Sequence, residues 1–248
     1  MRKIILIILT ALSTQVFAIE PPSVVVHNVS KDETVISNNA NVIRPMASIT
    51  KLMTAMVALD HYPLDQQIRI GKKATMSVEQ LLVNVLVRSD NNASEILAKN
   101  HPQGRAAFLD AMNGKAKFLG LRNTEYHDAS GLVPTNLTTA QELTKVVAYA
   151  GTYPFIRKVS TMTEITSTKK VKNKTQTISL PNTNKNILFE FDNILVSKTG
   201  TTSKAGKCVA MLVNNKGEQY AIIILGEPSK QARDQLARSL IHASKLDN

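Results

Sequence analysis

Short β-type apolar runs lie near both ends of the chain, and apolar positions at helical spacing fill the middle. Residues 24–26 (Val-Val-Val) and 34–36 (Thr-Val-Ile), separated by Ser30-Lys31-Asp32-Glu33, predict two strands joined by a turn. Pro45 then precedes residues 47–59, where Leu52, Met56 and Leu59 recur at helical spacing. Ser77 followed by Gln80 is a capping-box pattern opening a second helix, with Leu81, Leu82, Val85 and Leu86 on one side. That helix is expected to stop near Arg88 and a third to begin after Asn92. Further helices are predicted over 104–118 and, from the cap pair Thr139 and Glu142, as far as Ala150. Strands return over 193–198, 207–213 and 219–225, and a helix over 231–244 closes the chain.

Strands at both ends with helices between them predict an α+β fold, an α/β sandwich. One antiparallel sheet would be drawn from both termini, with a helical region inserted, and a groove would lie where the two regions meet. Lys198-Thr199-Gly200 is expected to end its strand.

Residues 1–18 stand apart. Met1-Arg2-Lys3, an apolar run over 4–12 and Val16-Phe17-Ala18 predict a secretory signal peptide cut after Ala18. Its apolar run is far short of the ~20 residues a membrane span needs, and no later segment is long and apolar enough. The expectation is one domain over residues 19–248, with no transmembrane segment in the mature chain, in the periplasm or secreted.

Loss of Arg2 and Lys3 would take the formal charge from +11 to +9. That balance favours an anionic polymer or surface as neighbour. The densest basic run (Lys169, Lys170, Lys172, Lys174) has no interleaved aromatic side chains, so a solvated hairpin is expected there and no nucleic acid as partner. Cys208 is the one cysteine, so no intrachain disulfide can form, and its apolar strand setting predicts an inert core thiol. The five histidines have no pair at metal-ligand spacing, and no metal or cofactor is expected.

Three short motifs carry candidate chemistry. In Ser48-Ile49-Thr50-Lys51 the i, i+3 spacing on a helix brings the Lys51 amine to the Ser48 hydroxyl, a weak nucleophile unless a base takes its proton. In Ser89-Asp90-Asn91, between two helices, a hydroxyl can relay a proton and an amide can hold a carbonyl. In Lys198-Thr199-Gly200 an ammonium and a hydroxyl can hold a carboxylate, the ammonium can depress the pKa of a nearby lysine, and the glycine can admit substrate backbone. Each alone also fits a bland role: a helix cap, an interhelix loop, a strand-to-turn boundary.

Together, in this order, they resemble the motif set of class A β-lactamases and penicillin-binding proteins. The segment Arg44-Pro45-Met46-Ala47-Ser48-Ile49-Thr50-Lys51-Leu52-Met53-Thr54-Ala55 resembles the nucleophile segment of the low-molecular-mass penicillin-binding proteins, the D-alanyl-D-alanine peptidases. Ser130-Gly131-Leu132 with Asn136-Leu137-Thr138-Thr139-Ala140, and Lys198-Thr199-Gly200-Thr201-Thr202 with Ala205-Gly206-Lys207-Cys208, are similar to their later segments. The resemblance spans about residues 23–244 and is nearest the endopeptidase (penicillin-binding protein 7) branch.

The resemblance implies a β-lactamase/transpeptidase-like fold and hydrolysis of D-alanyl bonds in peptidoglycan cross-links or stem peptides, with β-lactams as covalent inhibitors. It implies Ser48 as nucleophile, Lys51 as base, and Ser89 and Asn91 as relay and clamp. Lys198, Thr199, Gly200 and Thr201 would bind substrate, with the backbone N–H groups of Ser48 and Thr201 as oxyanion hole. Arg233 either aims at a terminal carboxylate or is a solvated helix residue. The chain closes on a helix before Asn248, so neither the second β-rich domain nor the C-terminal anchor of many carboxypeptidases of the family is expected. Carboxypeptidase action is the first alternative, followed by a β-lactamase and a catalytically silent wall-binding module. Glu125, Glu142 and Glu164 do not stand in the Glu-x-x-Leu-Asn pattern of class A β-lactamases.

Overall fold

The computed structural model describes residues 21–72, 74–171 and 174–244, with side chains of residues 168–175 excepted. The expected signal peptide lies outside the described residues. Strands β1 (Ser23–Asn28) and β2 (Glu33–Asn38) open the described chain. A two-residue strand β3 (Arg44–Pro45) leads into a 3-10 turn, Ala47–Ile49, and helix α1 (Thr50–His61). The short pair β4 (Gln67–Arg69) and β5 (Thr75–Ser77) precedes α2 (Val78–Val83) and a π-helical turn, Asn84–Arg88. Next come α3 (Asn91–Lys99), α4 (Gly104–Phe118), β6 (Leu137–Thr138), α5 (Ala140–Ala150) and α6 (Pro154–Ser160). A hairpin of β7 (Glu164–Val171) and β8 (Lys174–Pro181) leads to α7 (Lys185–Glu190). Strands β9 (Ile194–Thr202), β10 (Gly206–Asn215), β11 (Glu218–Glu227) and helix α8 (Lys230–Ala243) complete the chain.

The main sheet has the order β2-β1-β11-β10-β9 and is antiparallel throughout, so its centre joins the first strand to the last. Successive side chains of a strand point to opposite faces. Val25, Ile223, Leu225, Ala210 and Leu212 join the core formed by α1 to α5. Val24, Val26, Ile222, Ile224, Met211 and Val213 pack instead against α7 and α8. With both faces covered, the central strands read as continuous apolar runs rather than alternating ones.

Helix α1 is buried on every side: each residue from Thr50 to Ala58 is buried, Lys51 included. A helix enclosed all round has no polar face to give. The apolar stripe of Leu52, Met56 and Leu59 therefore understates its burial, and an ionisable side chain is carried into the core.

The α+β architecture, the sheet from both termini, the capping box of Ser77 with Gln80 and the cap of Thr139 are all present. Cys208 is buried, and burial pushes its thiol up to about 11. The basic run falls on the β7–β8 hairpin, as expected, with Lys172 and Asn173 outside the described residues. Two expectations are corrected. The third helix begins at Asn91, because the Asp90 carboxylate caps it by accepting from the Ala93 N–H at 2.9 Å. Lys198-Thr199-Gly200 does not end a strand: β9 runs on to Thr202, with Thr199 paired to Val209 and Gly200 to Cys208.

Ile223, fully buried between Val25 and Ala210, tests this sheet. Ile223→Ala is expected to cost about 2–5 kcal/mol in urea unfolding. A loss below about 1 kcal/mol would contradict a close-packed sheet centre.

Candidate active site

The 3-10 turn that carries Ser48 is clamped between two segments. Ala47 holds the left-handed region, φ 48°, which a residue with a Cβ adopts only under outside constraint. Gly131 supplies it from one side: a Cβ there would lie 1.9 Å from the Ala47 carbonyl oxygen. Gly200 supplies it from the other, where a Cβ would lie 2.9 Å from the Met46 carbonyl oxygen and 3.1 Å from the Ser48 nitrogen. The sequence reading gave Gly200 to substrate approach. Its missing side chain makes room for the backbone of the Ser48 turn.

Lys51, one turn along and fully buried, directs its amine at three oxygens: Ser48 Oγ at 3.0 Å, Asn91 Oδ1 at 2.7 Å and the Ser130 carbonyl at 2.5 Å. An ammonium can donate to all three. A neutral amine has two N–H groups and one lone pair, and the carbonyls of Asn91 and Ser130 can only accept. Ser48 is the single partner with a proton to give, so in the neutral state the lone pair faces its hydroxyl.

Across the groove, Lys198 is 1% exposed and donates to Ser89 Oγ and to the Thr199 carbonyl, both at 2.9 Å. Ser89 too is left-handed, at φ 58°, at the end of the π-helical turn. Thr199 donates through its hydroxyl to Thr183 at 2.7 Å. Ser48, Ser89, Thr199, Thr201 and Arg233 line one cavity of about 330 Å³ together with Thr183, Lys207 and Lys230. A larger cavity of about 500 Å³, beside Asn113, Arg122 and Glu125, contains none of the motif residues. Arg233 is 3% exposed and bonded to Asp234, which removes the solvated-residue alternative. The three motifs thus meet at one groove, and Gly200 supports it from behind.

This arrangement can be set beside known proteins. A sequence model of the D-alanyl-D-alanine carboxypeptidase family, peptidase S11, matches residues 10–229. The chain belongs to peptidase family S11. It is 36% identical over 212 residues to the D-alanyl-D-alanine endopeptidase of Escherichia coli, covering 78% of this chain and 68% of that one. The endopeptidase of Pseudomonas aeruginosa is 35% identical over 207 residues, covering 76% and 66%. The chain therefore spans about two thirds of the length of these relatives. The Streptomyces K15 DD-transpeptidase superposes with a TM-score of 0.79 at 25% identity, over 88% of this chain and 94% of that one. Penicillin-binding protein D2 of Listeria monocytogenes shares the fold with a TM-score of 0.74 at 24% identity, over 88% and 95%. No helix among the described residues of this S11 chain is long and apolar enough to cross a membrane.

Burial lowers the Lys51 pKa to about 8, against the opposing pull of the Asp128, Asp90 and Glu95 carboxylates. At pH 7 roughly a tenth of such amines are neutral, against on the order of one in a few thousand at the ordinary ~10.4. Repulsion between the Lys51 and Lys198 ammoniums acts on both, and Lys198 is held well below 10.5 by burial first, then by Lys51 and Arg233. Among the described residues no carboxylate lines the groove, and no cluster of three His, Cys, Asp or Glu side chains could hold a metal ion.

In this S11 chain the sequence reading missed Asp128. Its buried carboxylate accepts from Ser130 Oγ at 2.8 Å and from the N–H groups of Gly131, Leu132 and Val133 at 2.7, 3.1 and 3.2 Å, and from Asn136 Nδ2 at 2.8 Å. Those bonds hold the loop that aims the Ser130 carbonyl at Lys51. Asp128-Ala129-Ser130-Gly131 carries the Asp, Ser and Gly of a turn, which is its signal in the sequence.

By NMR of protein labelled at lysine Cε, Lys51 is expected to titrate near 8. Asp128→Asn removes a carboxylate that favours the ammonium and should lower that midpoint. A wild-type midpoint at 10.5 would mean a solvated amine.

Proposed function

We propose that this chain is a serine D,D-peptidase that hydrolyses D-alanyl peptide bonds of peptidoglycan, cross-links before free stem ends, and works outside the cytoplasmic membrane after loss of residues 1–18. Its carrying observation is the Lys51 amine placed so that the Ser48 hydroxyl is the only proton donor among its three oxygen partners. The endopeptidase relatives support the choice of cross-links.

Neutral Lys51 takes the Ser48 proton as Oγ attacks the D-alanyl carbonyl carbon. The oxyanion rests on the backbone N–H groups of Ser48 and Thr201, of which one such donor typically contributes ~2.7–4 kcal/mol. Asn91 has its oxygen on Lys51, which leaves its Nδ2 to hold a substrate carbonyl. As the tetrahedral centre collapses, the C–N bond breaks and Ser89, bonded to Lys198, delivers a proton to the departing amine. Thr199 and Arg233 hold a carboxylate of the leaving side. Ser89 recovers its proton from the Lys51 ammonium, so the Ser48 proton ends on the amine and Lys51 is neutral again. Water then attacks the ester, gives a proton to Lys51, and Lys51 passes it to the departing Ser48 oxygen.

β-Lactams, which imitate an acyl-D-alanyl end, acylate the same hydroxyl and leave slowly. Glu142 is occupied by Arg122, Asn123 and Thr124, and Glu164 by Ser179, while Glu125 is likewise absent from the groove wall, so none is placed to activate a deacylating water there.

A fluorescent penicillin is expected to label the protein covalently, and Ser48→Ala to abolish the label with unchanged thermal unfolding. Digestion of muropeptides should consume cross-linked dimers faster than it frees D-alanine from pentapeptides. Rapid catalytic turnover of penicillin, or labelling that survives Ser48→Ala, would overturn the proposal.

A further inference from the structure

The groove carries more positive charge than its chemistry at Ser48 uses. Lys207 on β10 and Lys230 and Arg233 on α8 line the same cavity as Ser48, and no carboxylate lines it. Arg233 is 3% exposed, and Asp234 Oδ1 takes its Nε and Nη2. Its third nitrogen, Nη1, has no protein acceptor among the described residues. Lys207 and Lys230 have no ion pair among the described residues either. Glu227 stands opposite Lys207 in the β10–β11 register, but it is buried, which pushes its carboxyl up, and it does not line the cavity. Asp234 is thus the one carboxylate bonded to any of these three cations, and both lysines at this end of the groove are left without an ion pair among the described residues.

We propose that Lys207, Lys230 and Arg233 form a leaving-strand subsite that takes a peptide bearing two carboxylates. This rests on the endopeptidase reading and deepens it by naming what the leaving group must carry. A departing free D-alanine brings a single carboxylate and leaves one cation unmatched. The leaving strand of a cross-link is itself a peptide with a carboxyl at its own C-terminus, and it carries a second beside its leaving amine when the diamino acid bearing that amine has a free carboxyl there. Two carboxylates match two unbalanced charges. The buried Arg233, rigid and fork-shaped, takes the carboxylate nearer the scissile bond, and the two lysines on flexible stems meet the farther one. A single-sign cavity with low-dielectric walls also focuses field lines on an anionic strand and raises its local concentration.

The experiment compares the wild-type full chain with Lys207→Gln, Lys230→Gln and the double variant. Its probes are a cross-linked muropeptide dimer, the same dimer with the leaving-strand carboxylates amidated, and a free pentapeptide. Loss of one charged contact pair predicts a fall of roughly tenfold in kcat/KM on the dimer for the double variant. The fall on pentapeptide should be several times smaller, and the amidated dimer should be cleaved slowly by wild type and hardly worse by the variants. Raising salt should erode the wild type's preference for the dimer. If the double variant loses dimer and pentapeptide cleavage in equal proportion, or cleaves the dimer as the wild type does, the subsite is overturned while the endopeptidase reading stands. If the wild type takes the penicillin label but leaves the dimer intact, the endopeptidase reading falls and the subsite with it.

Discussion

One amine in a dry place organises the groove. Lys51 sits on a helix enclosed on every side, where an ammonium loses its hydration, and its nitrogen meets two oxygens that can only accept and one that can also give. Burial makes the neutral form accessible, and the fixed acceptors decide where its lone pair points. Either alone would be insufficient: a buried amine with free rotation could aim anywhere, and a well-aimed ammonium in water would stay protonated. The carboxylates of Asp128, Asp90 and Glu95 oppose the burial, which keeps the amine from becoming a permanently neutral group with little basicity. The chemistry therefore depends on a balance between desolvation and three nearby negative charges.

The groove's second side follows from the same economy of space. Lys198 is as deeply buried as Lys51, and its charge is opposed by Lys51 and Arg233. Two buried lysines facing one cleft titrate as a pair rather than singly. A proton leaving one makes it easier for the other to hold its own, which suits a site that must accept a proton at one wall and return it at another.

Much of the fold was legible because its signals are local. Ser77 with Gln80 and Thr139 with Glu142 announce helix starts through side chain to backbone bonds only three residues apart, and both caps form. The motifs were legible as a set because residue type and order are themselves the chemistry. What escaped was set by tertiary contact. The π-helical turn that ends in left-handed Ser89 has no propensity signature of its own. The short helices α6 and α7 lie below the length at which periodicity speaks. Gly200 could be seen to leave space, but only the approach of Met46 and Ser48 says for whom. Asp128 has no comparable local signal, because its five donors come from a loop without a regular pattern.

The register of the main sheet has a consequence for how the protein is made. Strand β1 pairs with β11, nearly two hundred residues later in the chain, and β9, which braces the Ser48 turn, reaches β1 only through β10 and β11. A nascent chain that has not reached residue 218 possesses every helix up to α7 and both of its lysines, but lacks the strand that ties the two ends together. Contacts of such long separation also form slowly. The strand that braces the Ser48 turn thus takes its final place in the sheet only when the last strand of the chain has paired with the first.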